Sequence, residues 1–227
     1  MGNWKRVMSC AVIALAFVAT AMAQPAGPGG MSPEERAALA RQTTPLAAKA
    51  IAQYVGVTGD AEAKFTAAYV AEAAAAQKRL ADARQAGGAP GEGMMNVMRE
   101  NSEKMQKVVE ANLTAEQAKK AAALVGPFNA LERSIQGLLR AKVETAKVEK
   151  ALPVLVKYSV AQQEMTAKMR EGGSREEIMA KVTELRANTA KELAPIVGEE
   201  AAAAWQKTSG MGRGMGGGRR GGGAGPQ

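Results

Sequence analysis

Leu113-Thr114-Ala115-Glu116-Gln117 constrains the fold more than any other stretch of the chain, because it spells the first turn of a helix. Thr114 at the N-cap accepts a hydrogen bond from the backbone N–H of Gln117, and the Gln117 side chain accepts one from the N–H of Thr114. This is a capping box, which satisfies donors that a helix start otherwise leaves orphaned. Glu116 adds negative charge where the helix dipole favours it. One such box predicts one helix, but looser copies recur at Met31-Ser32-Pro33-Glu34-Glu35, Val57-Thr58-Gly59-Asp60-Ala61 and Val197-Gly198-Glu199-Glu200. A chain that restarts helices this often is assembled from several of them.

The segments between the starts agree. Alanine, glutamate, lysine, glutamine and methionine outweigh β-branched and aromatic residues, which argues for helix throughout. Ser32 caps a helix expected to be interrupted at Thr44-Pro45 and to restart toward Val55. From Asp60 to about Gln85 an alanine-dominated stripe (Phe65, Tyr69, Ala73, Ala76, Leu80, Ala83) has helical period and lets a partner helix come close. Gly87 to Gly93 breaks the helix and lets the next one fold back. Met94, Met98, Met105, Val108 and Val109 line one face of that helix, which ends near Asn112. The motif helix stops at Gly126-Pro127. The stripe Phe128, Leu131, Ile135, Leu138, Val143 and Ala146 then predicts one helix, with a kink or break at Ala151-Leu152-Pro153. Leu155, Tyr158, Met165 and Met169 carry a second stripe to Gly172-Gly173. A capping box is expected between Ser174 and Glu177, an interruption at Pro195 and Gly198, and a last short helix around Trp205. The reading is an all-α chain of elongated helical hairpins or a bundle with kinked helices, occupying residues 31–208.

The two ends differ from this body. Residues 1–23 read as a signal peptide: Lys5 and Arg6, the apolar run Val7 to Thr20, and the small-x-small site Ala21-Met22-Ala23. Residues 24–30 form a flexible lead-in. Residues 209–227, mostly glycine with three arginines, bury too little apolar surface to offset their ordering entropy and are expected to be a disordered tail. Removing Lys5 and Arg6 takes the 30 basic residues to 28 against 22 acidic ones, a mature net charge of +6. Arg213, Arg219 and Arg220 supply half of it, so the helical body has a weak nucleic-acid footprint. Localisation follows as exported and periplasmic, with an extracellular destination as the alternative, and no transmembrane segment in the mature chain.

The available chemistry is narrow. The sequence holds no histidine, and its one cysteine, Cys10, lies in the signal segment; Ser-His and Cys-His nucleophiles and the usual zinc ligands are absent. Adjacent acids such as Glu34-Glu35, Glu176-Glu177 and Glu199-Glu200 are explained by the helix dipole. No enzyme, cofactor or metal centre is expected. Methionine is the one soft ligand left, and Met94, Met95 and Met98 make Cu(I) binding a lesser alternative.

The Leu113-Thr114-Gln117 pattern matches LTxxQ and resembles the Spy/CpxP family of periplasmic helical proteins, with the copies at Met31, Val57 and Val197 extending the resemblance loosely toward Gln206. The resemblance implies a cradle-shaped helical homodimer holding non-native polypeptides without ATP, or an envelope stress-response adaptor. Candidate client contacts are Met94, Met98, Met105, Met165 and Met169, adaptable thioethers, with Arg99, Lys104, Lys107 and Lys168 attracting acidic stretches. From another class, the alternative is a structural envelope-associated protein adhering to anionic polymers through its basic tail.

Overall fold

The computed structural model describes residues 31–85, 92–125 and 130–209, and every element among them is helical. In chain order these are α1 (Pro33–Tyr54), α2 (Gly59–Gln85), α3 (Glu92–Asn112), α4 (Ala115–Ala121), a 3₁₀ turn (Ala122–Leu124), α5 (Ala130–Arg140), α6 (Thr145–Arg170), α7 (Arg175–Val197) and α8 (Glu199–Thr208). The expected signal peptide and lead-in, most of the expected glycine break, Gly126-Pro127-Phe128 and the expected tail beyond Ser209 lie outside the described residues. No described helix is long and apolar enough to cross a membrane.

Ser32 starts α1 with a full capping box: its hydroxyl accepts from the N–H of Glu35 at 3.1 Å, and the Glu35 carboxylate accepts from the N–H of Ser32 at 2.7 Å. The expected interruption at Pro45 does not occur, α6 does not break at Pro153, and α7 passes Pro195 to stop at Gly198. A proline removes one backbone hydrogen bond, but here packed neighbours hold the helix on both sides. Thr43, Thr44, Leu46 and Ala47 flank Pro45; Ala151, Leu152, Leu155 and Val156 flank Pro153; Leu193 and Val197 flank Pro195; all are buried.

The real break falls earlier than Ala151. After α5 the chain reverses at Lys142, whose φ is 59°, and Ala146 is exposed rather than part of a continuing stripe. Val143 N–H donates to the Leu138 carbonyl and Lys142 N–H to that of Leu139, the paired bonds of a Schellman turn. The same pairing closes α1, through Val57 to Ala52 and Gly56 to Gln53, and α6, through Gly173 to Lys168 and Gly172 to Met169. Val57 and Val143, the residues just past the left-handed positions, are buried and anchor the next helices.

The long helices pair as two hairpins, α2 with α3 and α6 with α7, while α1 packs against α2, α5 and α6 at the centre and α8 closes against α5 and α7. The core fills that centre with Ile51, Phe65, Leu131, Ile135, Leu152, Tyr158, Leu193 and Trp205. Trp205 meets Tyr158 edge-on, with centroids 5.0 Å apart, and lies over Gly137, where a Cβ would stand 3.1 Å from the indole ring. Truncating such a side chain costs about 3 to 5 kcal/mol.

The second half repeats the element order of the first. α1, a Schellman turn, long α2, returning α3, a short linker and short α4 correspond to α5, a Schellman turn, long α6, returning α7, a short linker and short α8. The match extends to single residues. Val109, Leu113, Ala118 and Ala121 are buried at the α3–α4 junction, and Leu193, Val197, Ala202 and Trp205, at the same spacings, are buried at the α7–α8 junction. The loose Val197-Gly198-Glu199 copy therefore stands where the full motif stands in the first half.

Candidate functional site

The motif residues form a structural clamp. Leu113 is buried, and Thr114, with extended φ and ψ of −65° and 160°, caps α4. The Gln117 N–H donates to the Thr114 hydroxyl at 3.3 Å, and the Thr114 N–H to Gln117 Oε1 at 3.0 Å. Gln117 Nε2 donates in turn to the Val55 carbonyl at the end of α1, 3.3 Å away. A threonine–glutamine box thus fixes α4 and ties it to the α1–α2 turn, a task glutamate in the same position cannot perform because it offers no donor. At Ser174 the predicted box is only half made: its hydroxyl accepts from Glu177 N–H at 3.5 Å, with no return bond, on an exposed turn. Gly198 caps α8 without any side chain.

Met94, Met98 and Met105 lie on α3, each half-buried, whereas Met95 is 67% exposed on the solvent side of the same helix. Val109 carries that face into the core one turn further on. Around Met98 and Met105, α2 contributes Ala73 and Ala76, which fill little space. Arg79 and Asn101 fasten the hairpin there: Arg79 pairs with Glu72 on its own helix and donates to Asn101 Oδ1 at 2.6 Å, while Asn101 Nδ2 donates to the Ala76 carbonyl.

Met98 and Met105 also line a cleft of about 200 Å³ where α1, α2, α3 and α5 meet. Tyr69 and Leu80 from α2, Thr44 from α1 and Glu132 from α5 complete it. The Tyr69 hydroxyl donates to Glu132 Oε1 at 3.2 Å. Burial pushes the Glu132 carboxyl above its ordinary pKa, and the Tyr69 hydrogen bond pulls only partly against that. Neither residue was prominent in the sequence as a site: Tyr69 read as one position of a core stripe, and Glu132 belonged to no pattern singled out there. No local pattern marks a cleft assembled from four helices.

Met165 and Met169 are half-buried near the end of α6, which packs on α7, so they sit on the other hairpin from the α3 methionines. The expected cations are spread more thinly than a binding rim. Lys104 pairs with Glu100 at 2.6 Å and holds that carboxyl below its ordinary range, Arg99 faces Glu103 at 4.0 Å, and Lys107 borders a shallow groove with Glu103 and Glu110. Lys168 is exposed on the second hairpin. Comparison with protein-family models, with curated proteins and with solved structures gives no match.

Proposed function

We propose that this is an exported, ATP-independent chaperone that holds non-native polypeptides, the reading to which the LTxxQ resemblance and the signal-like N-terminus lead. The observation that carries it is the row of half-exposed thioethers on α3, Met94, Met98 and Met105, of which Met98 and Met105 line a cleft together with the small Ala73 and Ala76. Unbranched thioethers adapt to many shapes, as a surface for varied unfolded segments requires, and no step of such holding needs histidine, of which the sequence has none, or cysteine, of which it has only Cys10. The test is light scattering of a chemically unfolded model client, without ATP, in the presence of protein beginning at Gln24. Suppression of aggregation at stoichiometric ratios is expected. The Met98→Ser, Met105→Ser double variant should lose most of it while keeping its helical circular dichroism; a folded double variant with undiminished suppression excludes this patch.

A further inference from the structure

We propose that the cleft between the first hairpin and α5 takes the side chain of a lysine, flanked by apolar residues, from a bound polypeptide. This deepens the chaperone reading and rests on it for the nature of the occupant. The cleft has the two parts such a side chain needs. Met98, Met105, Leu80 and the ring of Tyr69 offer an apolar wall for a four-carbon stem, and Glu132 offers a carboxylate for the ammonium. The volume of about 200 Å³ is below that of pockets for drug-sized ligands, roughly 300 Å³ and above, and suits one long side chain.

Charge complementarity selects the cation. Among the described residues the Glu132 carboxylate has one hydrogen-bond partner, the Tyr69 hydroxyl, and no lysine or arginine lines the cleft. The nearby Arg79 is already committed to Glu72 and Asn101. A carboxylate withdrawn from water without a counter-charge is costly, and an entering ammonium removes that cost while its stem covers the thioethers. An acidic side chain would meet like charge there, and a wholly apolar one would leave the carboxylate desolvated without a counter-charge. The cleft therefore selects in the opposite sense to the exposed cations of α3, two of which are occupied by neighbouring glutamates.

The test uses dye-labelled peptides with blocked ends, a leucine-alanine background and one central residue, followed by fluorescence anisotropy with protein beginning at Gln24. The lysine peptide is expected to bind about tenfold or more tightly than its norleucine and acetyl-lysine counterparts, the scale of one charge-assisted hydrogen bond. In the isosteric Glu132→Gln variant that advantage should shrink to about twofold. Equal binding of lysine and norleucine peptides by the unaltered protein overturns the proposal without depending on any variant. Butylamine binding as tightly as the lysine peptide would assign the cleft to a free amine and overturn the polypeptide occupant. Intact aggregation suppression with no lysine preference sinks this inference alone. A lysine preference that needs Glu132, in a protein that fails to suppress aggregation, sinks the chaperone reading and leaves the cation site standing.

Discussion

Replacing Gln117 probes the clamp most directly, because this one side chain serves both the α4 cap and the α1–α2 turn. Gln117→Ala removes the acceptor for the Thr114 N–H and the donor to the Val55 carbonyl. At about 0.5 to 1 kcal/mol for each bond, the expected loss is about 1 to 2 kcal/mol, or a fall in Tm of roughly 2 to 8 °C for a domain of this size. Thr114→Ala removes the cap itself and should cost about 1 kcal/mol. The double variant should cost less than the sum, since each single change already breaks the shared box. Gln117→Glu separates the two functions of the glutamine: it keeps the acceptor, improves the charge near the helix start, and loses the donor while setting an oxygen against the Val55 carbonyl. Urea unfolding at pH 7, followed by circular dichroism, should therefore find Gln117→Glu less stable than the parent protein. If Gln117→Glu equals or exceeds the parent, the bond to Val55 contributes nothing and the motif is only a helix start.

Glu132→Gln should raise Tm at pH 7 to 8, with the gain vanishing toward pH 4. Burial raises the folded-state pKa above the ordinary 4.5, so the wild-type contribution is full below that value and is lost as pH rises through the folded one; a gain independent of pH would contradict this. Lys142→Gly should stabilise by up to about 1 kcal/mol in the same urea assay, because a φ of 59° costs a side chain and not a glycine. Gly137→Ala should destabilise by about 1 kcal/mol despite its better helix propensity, since the new Cβ presses on a fully buried Trp205; a rise in Tm would show that the indole can yield.

The parts of the fold legible in the sequence were those written in local chemistry. The Ser32–Glu35 and Thr114–Gln117 boxes involve residues three apart, and both formed as read. Hairpin pairing of α2 with α3 followed from glycine between two periodic stripes. The α5–α6 turn was missed because its left-handed residue is Lys142 and not glycine; the usable sign was the five-residue step from Leu138 to Val143, too long for one helical face. The prolines did not end their helices because the burial that carries the helices past them is tertiary. The Glu132 cleft was invisible for the same reason: Thr44, Tyr69, Met98 and Glu132 are far apart in the chain, and only packing of four helices brings them to one opening.

The repetition of one four-helix order within a single chain frees the halves to specialise. In an assembly of two identical subunits every substitution is imposed twice, whereas covalent linkage lets one copy drift while its counterpart keeps the original task. The two hairpins differ at matched positions: counting from the matched α3–α4 and α7–α8 junctions, Met98, Ser102 and Met105 correspond to Val182, Arg186 and Thr189, and counting from the matched turns after α1 and α5, Glu132 corresponds to Leu46. One arm is soft and open with a carboxylate at its root, and the other is branched, with a buried guanidinium nitrogen. Tethering also keeps the two arms together at any dilution, so the contact between halves is a matter of folding and not of protein concentration.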